Sequence, residues 1–148
     1  MIGKRGKNIP EATAMTYVGG YMLGLDLTAR NLQAEAKKLG LPWDICKGFD
    51  GSLPLSQLIP RDAISDPHAL TLELKINEEV KQLGNTSDMH YKVPFLISYL
   101  SSIFTLNKGD VIMTGTPPGV GPIKPGDKLH ATCRAGEKEV ASCDFTVA

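Results

Sequence analysis

Leu70-Thr-Leu-Glu-Leu-Lys-Ile-Asn-Glu-Glu-Val-Lys-Gln-Leu83 decides how the rest of the chain is read. Leu70, Leu72, Leu74 and Ile76 occupy alternate positions, the period of a half-buried strand with those four side chains facing in. Glu78-Glu79 make a turn, and Val80-Lys-Gln-Leu83 returns as the hairpin partner. A second hairpin is expected at the end of the chain. It runs from Lys128-Leu-His-Ala-Thr-Cys133 through a turn at Ala135-Gly136-Glu137 to Glu139–Val147. Two more apolar runs have strand length: Tyr21-Met-Leu-Gly-Leu-Asp-Leu27, closing on Asp26, and Val111-Ile-Met-Thr114, which reads as a buried strand leading into a glycine-rich turn.

Helical signals are few and short. Pro10 and Glu11 suit a first helical turn, with Gly19-Gly20 as its stop. Thr28 is a suitable N-cap for a helix over Ala29–Leu39, with Leu32, Ala36 and Leu39 on one stripe and Gly40 closing it. A third helix is expected from Val93 to Ile103. Between them, Leu41–Pro60 is broken by Pro42, Gly48, Gly51, Pro54 and Pro60 and reads as a long loop, a kind of segment that is usually functional in a compact domain. The pattern is α+β with a mixed sheet.

Composition narrows the function classes. The 148 residues carry 16 Lys plus Arg against 16 Asp plus Glu, a formal net charge of zero. That balance argues against a nucleic-acid binder or a polybasic membrane-surface module. Fifteen glycines and ten prolines point to many turns rather than a helical bundle. Cys46, Cys133 and Cys143 are too few and too scattered for a disulfide framework, and there is no C-x-x-C pair for structural zinc. A reducing compartment is the default expectation. No signal peptide is readable at the start and no run reaches ~18 apolar residues, so a soluble chain is expected.

Three stretches carry candidate chemistry. In Asp26-Leu-Thr-Ala-Arg30-Asn-Leu-Gln33, Arg30 and Gln33 share a helix face and Asp26 precedes its first turn. A carboxylate for a hard cation, a guanidinium fork for a substrate carboxylate and an amide for a carbonyl would meet there. Spacing alone also fits an ordinary helix start with solvated side chains. Lys47, in Trp43-Asp-Ile-Cys-Lys-Gly-Phe49, sits among apolar neighbours and suits electrostatic stabilisation of an enolate or carboxylate. It reads equally as a snorkelling loop lysine. Thr114-Gly-Thr-Pro-Pro-Gly-Val-Gly121 offers hydroxyls and backbone N–H groups to an anion, or is a plain tight connection; it lacks the Gly-Lys-Ser/Thr of a P-loop. His68, His90 and His130 have no partner at metal-ligand spacing.

Taken in order, Asp-x-x-x-Arg-x-x-Gln, a lysine in Lys-Gly-Phe-Asp, and Thr-Gly-Thr-Pro-x-Gly-Val-Gly resemble the fumarylacetoacetate hydrolase family, in its acylpyruvase or oxaloacetate decarboxylase branch. The resemblance runs over essentially the whole chain, Ile2-Gly3 to the terminal hairpin. It implies a mixed β-roll with few short helices, a single catalytic domain over residues 1–148, and a homodimer. It also implies a Mg²⁺ or Mn²⁺ enzyme acting on small 2-oxo or β-diketo acids, mitochondrial or cytosolic. By the same resemblance Asp26 is a metal ligand, Arg30 and Gln33 bind substrate, Lys47 is the active-site lysine, and Thr116 binds the substrate carboxylate.

The family pattern also has a Glu-x-Glu strand just ahead of Ile2-Gly3-Lys4, and an earlier His/Glu region that supplies a base; neither is in this sequence. Glu73 and Glu78-Glu79 are poor substitutes, on a polar strand face and in a turn. The expectation is an N-terminally truncated catalytic domain with impaired activity. Acylpyruvate hydrolysis with oxaloacetate decarboxylation is the first function expected. Keto–enol tautomerisation of oxaloacetate, or an inactive binding subunit, are the alternatives.

Overall fold

The computed structural model describes every residue, Met1–Ala148. Two compact units emerge, Met1–Leu23 with Ser56–Ala148, and Gly24–Leu55.

In the larger unit, β3 (Leu70–Ile76), β4 (Glu79–Asn85), β5 (Lys128–Ala135) and β6 (Lys138–Thr146) form one sheet in the order β4-β3-β5-β6. Every pairing in it is antiparallel. Two-residue turns dictate this for both hairpins, because a parallel neighbour needs a long crossover. In the β3–β4 turn, Asn77 and Glu78 both have positive φ, at 50° and 71°. This is the mirror-image turn whose twist suits a hairpin. The β3–β5 register sets Leu70, Leu72 and Leu74 against Ala135, Cys133 and Ala131, so the apolar positions of both strands share a face, as the alternation predicts. Leu70 and Cys133 are buried there with Ile59 and Ile64.

A second apolar cluster joins Ile2, Ile9, Ala14, Val18, Ile97 and Leu106. Ala14 comes from a 3-10 turn over Glu11–Tyr17 and Ile97 from α3 (Val93–Ile103), whose bounds match the sequence expectation. Polar groups tie these pieces together. Ser101 Oγ accepts from the Ile9 N–H at 2.8 Å and donates to the Ser98 carbonyl at 2.8 Å, with the serine fully buried. The backbone N–H of Val93, at the start of α3, donates to His68 Nε2.

Several expectations are corrected. The Tyr21–Leu27 strand shrinks to β1 (Gly20–Tyr21), paired with β2 (Ile59–Pro60). Pro60 has no N–H to extend the ladder, and only an isolated bridge from Gly24 to Leu55 follows. Val111–Thr114 is not a buried strand: no strand pairs with it, and Val111 and Met113 are exposed. An apolar run becomes a strand only where a neighbour takes its hydrogen bonds.

In the smaller unit, α1 spans Arg30–Leu39, with Ala29 rather than Thr28 at the N-cap and Gly40 closing it at φ 67°. Its expected apolar stripe is not its buried face: Leu39 is 60% exposed while Gln33 is 6% exposed. Within Leu41–Pro60, Asp44–Lys47 is helical, here α2, so Lys47 ends a helical turn rather than lying in an open loop.

Ser101→Ala should lower unfolding stability by about 1–3 kcal/mol, because the buried Ile9 N–H loses its acceptor; urea denaturation reads it directly. A pH effect is expected at Asp127, which accepts from Asn77 Nδ2 at 2.7 Å and from the Lys124 N–H at 2.8 Å. The Asn77 bond first, and the Lys124 bond second, lower its carboxyl pKa below the ordinary value. A depressed carboxylate stabilises above its unfolded pKa and stops doing so as pH falls through the folded one. Asp127→Asn should therefore flatten the acid limb of the stability profile below the usual carboxylate range.

Candidate active site

Backbone hydrogen bonds shape the Gly24–Leu55 unit. Leu25 N–H donates to the Pro54 carbonyl at 3.0 Å, Leu27 to Ser52 at 2.9 Å and Ala29 to Cys46 at 3.0 Å. Cys46 is buried, and its Sγ is hydrogen-bonded to the Trp43 carbonyl, which anchors α2. These bonds lay the segment before α1 alongside the segment that follows α2.

Lys47 Nζ consequently lies 2.8 Å from Asp26 Oδ1, across 21 residues of chain. In the first turn of α1, Arg30 Nη1 donates to Gln33 Oε1 at 3.0 Å. That bond orients both groups. Gln33 keeps its amide N–H₂ for another acceptor, and Arg30 keeps most of its donor fork. No side chain caps the start of α1, so its first N–H groups add to a positive end that favours an anion. The structure thus pairs four of the five residues singled out from the sequence, Asp26 with Lys47 and Arg30 with Gln33.

Thr116 belongs to the larger unit. Its segment has no regular secondary structure and lies along β4. Gln82 Nε2 donates to Thr116 Oγ1 at 2.9 Å and to the Pro117 carbonyl at 2.7 Å. Two glycines permit the close approach: a Cβ on Gly84 would stand 2.6 Å from Pro117 Cβ, and one on Gly119 (φ 101°) would collide with the Lys81 carbonyl. Sequence reasoning reads Gln82 only as a hairpin residue. Nothing local marks it, because its partners lie 34 and 35 residues on.

The divalent cation implied by the resemblance can be tested against these donors. No group of three or more His, Cys, Asp or Glu side chains is placed to hold a metal ion. Asp26 is a lone carboxylate with Lys47 on one oxygen. Glu73 is engaged near Lys75 and Arg134, at 3.6 and 3.8 Å. Hard cations take several oxygen ligands, so the residues present do not by themselves make up that site.

The Asp26–Lys47 pair is open to solvent, the side chains 49% and 33% exposed. Exposed pairs contribute at most about 1 kcal/mol. Lys47→Met and Asp26→Asn should each leave the thermal unfolding midpoint within a few degrees of the parent. A loss above about 3 kcal/mol, the scale of breaking a buried pair, would make the pair structural instead.

Comparison with known proteins gives this geometry a context. Residues 1–148 match the family described as fumarylacetoacetate (FAA) hydrolase C-terminal. A mouse protein named oxaloacetate tautomerase FAHD1, mitochondrial, is 56% identical over 131 residues, 88% of this chain and 59% of that protein. The human protein of the same name is 53% identical over the same shares. Among solved structures, the fumarylpyruvate hydrolase from Pseudomonas aeruginosa, in complex with Mn²⁺ and pyruvate, superposes with a TM-score of 0.89. It is 35% identical, over 99% of this chain and 62% of that one. The chain therefore spans less than two thirds of these relatives. It belongs to the fumarylacetoacetate hydrolase family, matching its C-terminal domain.

Proposed function

We propose that the chain carries substrate-binding machinery of an enzyme acting on enolisable 2-oxo acids, with oxaloacetate keto–enol tautomerisation as the reaction. The observation that carries this reading is the presence, within the Gly24–Leu55 unit, of the Lys47–Asp26 pair at 2.8 Å and the Arg30–Gln33 pair at 3.0 Å. The names of the relatives at 53–56% identity support oxaloacetate as the acid.

Enolisation of a 2-oxo acid moves negative charge onto the carbonyl oxygen, and the residues of this site bind that charge rather than serve as the base that takes the C–H proton. The enzyme must bind this charge more tightly as it grows. The Lys47 ammonium, held by the Asp26 carboxylate, offers its remaining N–H donors to that oxygen. The Arg30 fork takes one substrate carboxylate in a bidentate grip, and Gln33 donates its amide to a neighbouring oxygen. Together these contacts hold the acid so that the C–H bond and the oxygen are oriented before reaction. A divalent cation, Mg²⁺ or Mn²⁺, belongs to this proposal through the Mn²⁺-bound relative and would supply further charge neutralisation, at a site that the residues present do not by themselves complete. Mitochondrial location and homodimeric assembly belong to it too, the first from the relatives' names and the second from the family resemblance.

C–C cleavage of acylpyruvates, or decarboxylation of oxaloacetate, is the second reading. The fumarylpyruvate hydrolase relative favours it, and the same enolate-binding groups would serve a departing carbanion. Product analysis with oxaloacetate, Mg²⁺ or Mn²⁺ and the purified chain separates the readings. Faster enol–keto exchange without pyruvate supports tautomerisation, and pyruvate with CO₂ supports cleavage.

Calorimetric titration with oxalate, which resembles an enolised 2-oxo acid, tests the site itself. Arg30→Ala should weaken oxalate binding by about 2 kcal/mol, the scale of a charged hydrogen-bonded contact. Failure of the parent chain to bind oxalate with either cation overturns the reading.

A further inference from the structure

We infer that the outer face of α3, with the basic loop at its C-terminal end, is a docking surface for an anionic lipid bilayer. Cations there hold the headgroups, and aromatic side chains enter the interface. The inference concerns the larger unit only and is independent of the reaction proposed above.

The sequence of α3 is the starting point. Val93–Ile103 holds no charged residue, and a helix that is apolar all round is normally covered on every side. Its inner face meets the core through Ile97 and the buried Ser101. Its outer face is left in water. There Tyr91, Phe95 and Tyr99 stack in a row, with ring centroids 4.6 and 6.1 Å apart, and Ile103 continues the same spacing. Tyr91, Tyr99, Ile103 and the following Phe104 are 52, 56, 52 and 59% exposed. A contiguous apolar strip of this kind marks an interaction surface.

Charge is the second, separate observation. Backbone bonds lay the N-terminal loop against the end of α3. Asn8 N–H donates to the Ser101 carbonyl at 2.9 Å, Gly6 and Leu106 exchange both bonds at 2.9 Å, and Gly109 N–H donates to the Ile2 carbonyl at 2.9 Å. These paired segments carry Lys4, Arg5, Lys7 and Lys108, all exposed, against one acid, Asp110. None of the four cations is in a salt bridge. Lys7 Nζ donates to the Ser102 carbonyl at 3.1 Å, which fixes an ammonium beside Ile103. The Asp110 carboxylate accepts from the Asn107 N–H at 2.7 Å. An overall net charge of zero thus conceals a local excess of positive charge.

Unpaired cations bordering half-exposed aromatics match an anionic bilayer. Lys and Arg are drawn to its surface, while aromatic rings settle at headgroup depth. Nucleic acid would use the cations but has no partner for Ile103. A second copy fits less well, because an isologous contact lays the patch on itself and brings the cations of both copies together.

The test is sedimentation of the purified chain with vesicles at low ionic strength. One set is phosphatidylcholine alone, the other equal parts phosphatidylcholine and phosphatidylglycerol. The parent should bind the mixed vesicles at least about tenfold more tightly than the neutral ones, and strong salt should release it. Arg5→Gln with Lys108→Gln should weaken binding about twentyfold, since each cation near an anionic surface contributes a factor of about five. Tyr99→Ser with Phe104→Ser, which leaves the charge unchanged, should weaken it at least about tenfold through lost apolar burial.

Circular dichroism and melting check that each variant is folded, and Phe104→Ser alone serves if the double change is not. Binding that follows the cations but ignores Tyr99 and Phe104 overturns the inference and leaves a plain polyanion surface. Equal binding to neutral and mixed vesicles overturns it too. So does a parent chain that stays in solution with the mixed vesicles. If that chain also runs as a dimer that Tyr99→Ser with Phe104→Ser dissociates, the strip belongs to a second copy instead.

Discussion

Strand β3 is hydrogen-bonded along both edges, to β4 on one side and β5 on the other, and most of the larger unit depends on that double pairing. With a side-chain period of two, slipping either neighbour by one residue would turn Leu70, Leu72 and Leu74 away from Cys133 and Ala131. The register is thereby specified by burial. Its consequences reach the chemistry, because the β3–β4 register sets Gln82 opposite Leu74 and so presents its amide to the Thr116 segment. A strand chosen by the core thus determines where a candidate ligand-binding hydroxyl sits.

The Gly24–Leu55 unit is organised differently. Cys46 is its single buried apolar residue, accompanied by the buried polar Gln33 and Ser52. About 30 residues are too few to support a hydrophobic core of their own, and the unit's internal order comes instead from backbone bonds such as Leu27 to Ser52 and Ala29 to Cys46. Four of the candidate side chains lie there, in two hydrogen-bonded pairs. The exposed Lys47–Asp26 pair contributes little to stability. Under the proposed function its arrangement holds an ammonium ready for a charge that develops on a ligand.

How much was legible in the sequence varied with how local each signal was. Both hairpins were readable, since alternation and turn residues lie within a few positions of one another. The bounds of α3 were readable for the same reason. The three motif stretches carried the family resemblance, and the structure pairs four of their candidate residues, Asp26 with Lys47 and Arg30 with Gln33. The failures were those of missing neighbours. Val111–Thr114 has strand composition but nothing to pair with. Leu32 and Leu39 form a stripe on α1, yet the polar Gln33 is the residue turned inward. The α2 turn was hidden by the surrounding glycines and prolines, which marked the whole stretch as loop.

The sequence by itself determined the α+β class, the strand alternation, the turns and the identity of the candidate groups. All of these depend on the order of side chains along a few residues of chain. Only the tertiary structure decided that Lys47 faces Asp26 across 21 residues, and that Gln82 reaches Thr116 across 34. Hydrogen bonds between such distant groups carry no periodicity and leave no mark in local composition. They exist because sheet register and backbone bonding bring the partners within 3 Å, and only the folded chain records that.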